Sequence, residues 1–128
     1  MKFHTIYSLE DAYYQKAVEF YNKQLDVDFF EDSIITKRSL QNNKTENDYV
    51  FIVGIEKENI ISLATAHYEA TTNSAFLVHL LAVVDSNYDE IISQTLNEVE
   101  THLNILSNKV HARDINFLMI EVPKLDNS

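Results

Sequence analysis

The chain has 128 residues, 45% of them apolar, which is enough for one folded domain around a single core and too apolar for a disordered segment. It has no cysteine, which excludes disulfides, thiolate metal sites and thiol nucleophiles. A formal charge of −10, from 20 acidic and 10 basic residues, opposes nucleic acid and anionic lipid.

At the N-terminus, "MKFHTIYSLEDA" places Phe3, Thr5 and Tyr7 in alternation, which suits a short strand. Ser8 is predicted to cap a helix, with Asp11 as its capping-box partner. The helix "LEDAYYQKAVEFYNKQL" then presents Ala12 or Tyr13, Ala17, Phe20, Tyr21 and Gln24–Leu25 as one apolar stripe, which reads as core. A short helix is expected around residues 30–42, followed by the polar loop "NNKTEND". No apolar leader opens the chain and no apolar run approaches ~20 residues, so a soluble, cytoplasmic protein is expected.

The period then changes. "YVFIVGIE", "IISLATAHYEATT" and "AFLVHLLAVV" are apolar runs of strand formers, separated by "KEN" and by an Asn73–Ser74 turn. Short turns between such runs predict an antiparallel meander, and apolar continuity predicts a sheet covered on both faces. From Tyr88 to Leu106 the spacing is helical; "SNKVHARD" is a connector, and "INFLMIEV" (115–122) is a last strand ended by Pro123. Strand, helix and strand form a crossover, so this strand is predicted to lie parallel to the 75–84 strand. The predicted class is therefore α/β (mixed α+β): a central mixed sheet, a meander then a β-α-β crossover, with helices on both faces. With one glycine in the chain, glycine-built phosphate cradles are excluded.

This order, together with "FIVGIEKENIISLA" and the strand end "LLAVV", resembles the GNAT acyl-CoA N-acetyltransferase superfamily. Members often read a turn followed by "iiG", here with Ser62 in the glycine position, and an "laV" signature, here Leu81, Ala82 and Val83. The resemblance implies acetyl transfer from acetyl-CoA to an amine, with the backbone of the "laV" strand serving the acyl end. It implies cofactor contacts at Leu81, Ala82, Val83, Tyr88, Ile91 and Ile92. The family's next loop reads Q/R-x-x-G-x-G/A and cradles the CoA pyrophosphate. Here "VVDSNYDEIISQTL" puts Asp89 on the basic position and Glu90, Ile91 or Ser93 on glycine positions. Asp85, Ser86, Asp89 and Glu90 are helix-capping residue types that complement the helix dipole from within the chain, so weak or absent acetyl-CoA binding is expected. Members also continue past this strand with a helix and a closing hairpin, including a tyrosine often assigned as general acid. Residues 1–128 are accordingly expected to form a single domain lacking those elements. Either further chain or a partner subunit would then complete the sheet, and a homodimer is expected.

Amine acetylation needs a base. Glu69 and His67 share a strand face, and His79 lies on the next strand, so these three are the candidates. A two-residue turn would place Tyr68 opposite His79, and a three-residue turn would place His67 there. H-x-E on a strand is a weak ligand pattern, and no metal is expected. His4, His102 and His111 read as surface or boundary residues. Two functions of different class follow: an acetyl-CoA-dependent N-acetyltransferase acting on a small amine, or a non-catalytic acidic interaction or regulatory module that binds a basic protein.

Overall fold

The computed structural model describes residues 1–25 and 49–120. The expected helix around residues 30–42 lies outside the described residues, as does any continuation of the last strand past Ile120. The elements are β1 (Lys2–Thr5), α1 (Tyr14–Leu25), β2 (Tyr49–Glu56), β3 (Asn59–Glu69), β4 (Ser74–Ala82), α2 (Tyr88–His111) and β5 (Phe117–Ile120). They form one five-stranded sheet in the order β1-β2-β3-β4-β5. The first four strands are antiparallel, and β5 pairs parallel to β4 as the crossover rule requires.

The helices lie on opposite faces, which explains why β2 is buried from Tyr49 through Gly54 without alternation. On one face Ala17, Phe20 and Tyr21 of α1, with Ile6, cover Tyr49, Phe51, Val53 and Leu63. On the other, Val99, Leu103 and Leu106 of α2 cover Val50, Ile52, Ala64, Ala66 and Leu77. Small residues at Ala64, Ala66 and Ala75 let α2 sit close to the sheet. Val99 and Leu103 are fully buried, each contributing about 1.5–3 kcal/mol of transfer free energy.

Glycine is needed at one place. A Cβ on Gly54 would stand 2.3 Å from Ser62 Oγ on β3, at a bulge in the β2–β3 register. Ser62 is fully buried, and its Oγ accepts a hydrogen bond from Thr95 Oγ1 of α2 at 2.8 Å. The glycine that the resemblance expects at position 62 is thus displaced to its cross-strand partner. The β2–β3 turn uses Lys57 and Glu58 at φ 51° and 67°, the left-handed pair of a type I′ hairpin.

Several boundaries differ from expectation. Helix α1 starts at Tyr14, because Asp11 is not a capping-box partner of Ser8. Its Oδ1 accepts the Tyr13 amide at 2.8 Å and its Oδ2 pairs with His4 Nε2 at 2.7 Å. The side chain thereby stabilises a turn that delays the helix. Helix α2 runs to His111, past the expected end at Leu106, and stops at Ala112 in the left-handed conformation. The β3–β4 turn is the four residues 70–73 and not an Asn73–Ser74 pair, since Glu69 and Ser74 are already partners.

Buried Asn73 closes that turn. Its Oδ1 accepts from Tyr68 Oη at 2.7 Å and from Ser107 Oγ at 2.6 Å, and its Nδ2 donates to the Asp114 carbonyl at 3.0 Å. The Asn116 amide donates to the Asn73 carbonyl at 2.7 Å, which sets where β5 begins to pair.

Candidate functional site

The site is built around an irregularity in β4. Ala66 pairs with Leu77, but Thr65 pairs with His79, so Val78 is an extra residue in the strand. Leu77 packs on the α2 face; the bulge then turns His79, Leu81 and Val83 to the α1 face. Among the described residues, β5 pairs with β4 from Ser74 to Leu77. Neither register expected for His79 occurs: the four-residue turn and the bulge together place Thr65 opposite it.

His79 is half-buried between two hydroxyls. Thr65 Oγ1 lies 2.8 Å from Nδ1 and Tyr21 Oη lies 3.1 Å from Nε2. The Tyr21 ring meets the imidazole edge-on, with centroids 4.8 Å apart at 85°. The other two candidate bases, His67 and Glu69, are on the same sheet face but exposed. His67 rests against its cross-strand partner Tyr49, with ring centroids 4.8 Å apart. The three do not converge as a ligand set, and no group of three metal-ligating side chains occurs among the described residues. Of the remaining histidines, His4 pairs with Asp11, His102 Nε2 lies 3.3 Å from Glu98 Oε1, and exposed His111 reaches the Ala70 carbonyl at 2.7 Å.

Tyr21 and Thr65 were not singled out as site residues by the sequence. Tyr21 belongs to an ordinary apolar stripe, and its contact with His79 spans 58 residues. Thr65 becomes a neighbour of His79 only through the bulge.

The helix start beyond "laV" is arranged differently from the expected self-cap. Val83 still bonds to β3 through its amide, which donates to the Ile61 carbonyl at 2.9 Å. The Asp85 carboxylate accepts the Asn87 amide at 2.7 Å, which spends it before the helix begins. Asn87 is the N-cap, and no side chain caps the helix. The Asp89 and Glu90 amides therefore keep their donors, and the carboxylates of Asp89 and Glu90 stand in the same turn. Glu90 Oε1 accepts from Gln94 Nε2 at 3.1 Å. Asp85, Asn87, Glu90 and Ile91 line one wall of an open cleft of about 440 Å³. Glu56, Lys57 and Asn59 of the β2–β3 turn line the other. Tyr88 is exposed and Ile91 is buried against the sheet. Among the described residues, no helix is long and apolar enough to cross a membrane.

No family model matches the sequence, and no curated protein matches it. Solved structures do match. AAC(6')-Iy, in complex with the bisubstrate analogue CoA-S-monomethyl-acetylneamine, aligns at TM-score 0.70 and 7% identity over 98% of this chain and 82% of its own. The aminoglycoside 6'-N-acetyltransferase AAC(6')-IG from Acinetobacter haemolyticus aligns at 0.67 and 14% over 99% and 82%. Aminoglycoside 6'-acetyltransferase type Ii aligns at 0.59 and 8% over 80% of this chain, which spans only 64% of that protein's length. The fold is that of the GNAT acetyltransferases.

Proposed function

We propose that the protein transfers an acetyl group from acetyl-CoA to a cationic amine. The acyl end would lie along the backbone of Leu81 to Val83, and the proton would be handled on the α1 face of the sheet. One observation carries this reading. His67 and Glu69 stand exposed on the α1 face of β3, and the bulge at Val78 brings His79 to the same face immediately before the Leu81–Val83 segment. An ammonium must lose a proton before it attacks a thioester, and imidazole and carboxylate are the groups suited to take it near neutral pH. The charge of −10 supports a cationic acceptor, whose local concentration such a field raises. Several proteins of similar fold are named for aminoglycosides, which are cationic amines.

Cofactor affinity is set by the start of α2, where Tyr88, Ile91 and Ile92 are the contacts implied by resemblance. A carboxylate ~5 Å from a phosphate costs on the order of 1–3 kcal/mol at an effective dielectric near 20. The helix end returns no more than ~1 kcal/mol. Asp89 and Glu90 therefore make acetyl-CoA a weak ligand without closing the two amides beside them.

Calorimetry with acetyl-CoA up to millimolar concentration tests this, alongside thiol release in the presence of aminoglycosides and polyamines. Saturable weak binding is expected, tightening at least about tenfold in the Asp89→Asn, Glu90→Gln double variant, as removal of ~1.4 kcal/mol of repulsion requires. Equal affinity of variant and wild type refutes the electrostatic account. No heat and no thiol release from either sinks the enzyme reading. It leaves the acidic interaction module, which the carboxylates Glu56, Asp85 and Glu90 around the cleft favour. A homodimer through the edge strand β5 is part of the proposal, supported by exposed Phe117, Met119 and Ile120. Sedimentation velocity showing only monomer at high micromolar protein would remove it.

A further inference from the structure

Thr65 is 2% exposed, and among the described residues its hydroxyl has one hydrogen-bonding neighbour, His79 Nδ1. A hydroxyl always carries a hydrogen, and a buried donor left without an acceptor costs about 1–3 kcal/mol. If Nδ1 carried the imidazole proton, it would donate to Thr65 Oγ1 and strand that hydrogen. Thr65 is satisfied only when it donates and Nδ1 accepts. The neutral ring then carries its hydrogen on Nε2, the nitrogen that faces the Tyr21 oxygen at 3.1 Å.

We propose that Thr65 is a positioning residue that locks His79 in the Nε2–H tautomer, making His79 a hydrogen-bond donor to Tyr21 and not the proton acceptor of the reaction. In this arrangement Nε2 already holds a hydrogen, and the Nδ1 lone pair is engaged by Thr65. Neither nitrogen takes a proton unless Thr65 rotates away and its buried hydrogen loses its acceptor. Tyr21, accepting from His79, becomes the stronger donor through its own O–H, because hydrogen bonds in a chain polarise one another. Removal of the amine proton then falls to His67 and Glu69, on the same face of β3 and open to solvent. The kinetic consequence rests on the acetyl-transfer reading; the tautomer does not.

Long-range proton–nitrogen NMR of the imidazoles reads the tautomer directly. Wild type is expected to show His79 as Nε2–H, and Thr65→Ser to keep that pattern. Tyr21→Phe should also keep it, since Thr65 remains. Thr65→Val, nearly isosteric, is expected to shift the ring toward Nδ1–H, because Tyr21 can then donate to Nε2. An Nδ1–H pattern in wild type overturns the proposal, as does a Thr65→Val spectrum like that of wild type. If Thr65→Val does not fold, the wild-type, Thr65→Ser and Tyr21→Phe spectra still decide, and loss of the Nε2–H pattern in Thr65→Ser counts against the lock. In the kinetic arm, His79→Gln retains an N–H toward Tyr21 and should lower kcat/KM by about tenfold. The His67→Gln, Glu69→Gln double variant should lower it at least about a hundredfold, the usual size of a general-base contribution. A hundredfold loss in His79→Gln overturns the donor role. Absence of acetyl transfer in wild type overturns the reaction and leaves the tautomer to stand on its spectrum.

Discussion

Replacing Asn73 by alanine tests whether the buried polar knot between the β3–β4 turn and the end of α2 holds the sheet together. Asn73 is 1% exposed and satisfies two donors and one acceptor on three different segments. Ser107 can fall back on the Arg113 carbonyl, which its hydroxyl already approaches, so its loss is small. Asp114 is exposed, and its carbonyl can find water. Tyr68, 6% exposed, has no such alternative among the described residues, and its stranded hydroxyl costs about 1–3 kcal/mol. Position 73 also sits at φ 49°, where asparagine is tolerated and alanine pays on the order of 1 kcal/mol. The sum is roughly 2–4 kcal/mol, a large share of the 5–15 kcal/mol that holds a typical domain together. Urea unfolding measures it. Asn73→Gly should recover the conformational part, about 1 kcal/mol. In a Tyr68→Phe background, Asn73→Ala should cost about 1–2 kcal/mol less, because no donor is left stranded. A cost below ~1 kcal/mol, or no coupling between positions 68 and 73, would refute the reasoning.

Two further outcomes follow from the same packing. Gly54→Ala drives a Cβ into Ser62 Oγ, itself held by Thr95, and should destabilise by about 1–3 kcal/mol. Ser62→Gly should restore most of that loss in thermal melts, by moving the glycine to the other strand, and failure of the suppressor would show the clash lies elsewhere. Burial pushes the Tyr14 phenol above its ordinary value of about 10, so the native state holds that proton more tightly than the unfolded chain does. Its contribution to stability is thus fully present below pH ~10 and is lost as pH rises through the folded value. Ultraviolet titration should show a late phenol that Tyr14→Phe removes, together with part of the alkaline loss of stability.

Strand β1 was legible from alternation and β2 to β5 from apolar runs with β-branched or aromatic members, and the parallel placement of β5 followed from the helical crossover. What escaped the sequence was decided by single side chains reaching across the fold. Asp11 spends its carboxylate on the Tyr13 amide and His4, so the helix starts later than its residue types suggest. The end of α2 was missed because Ser107 is polar by composition yet fully buried, held by Asn73 and Arg113. Asp85 was expected to cap α2, but it bonds one residue too early and leaves Asn87 as an N-cap without a side-chain bond. In each case a polar residue had two structurally sensible partners, and spacing along the chain does not rank them.

The bulge at Val78 shows how one such residue reaches function. Along "AFLVHLLAVV" a regular strand would put Ala75, Leu77, His79, Leu81 and Val83 on one face. That would press His79 into the same core as Ala64, Ala66 and Val99. One extra residue reverses the faces for the rest of the strand, so Leu80 packs toward α2 while His79, Leu81 and Val83 turn to α1. An apolar run cannot reveal the reversal, because leucine and valine satisfy either core equally well. Only His79 breaks the degeneracy, since an imidazole needs partners for both nitrogens. Thr65 and Tyr21 supply them on the α1 face. A single histidine in an otherwise apolar strand thereby reports the bulge, and the bulge aligns that histidine with the strand segment proposed to hold the acyl group.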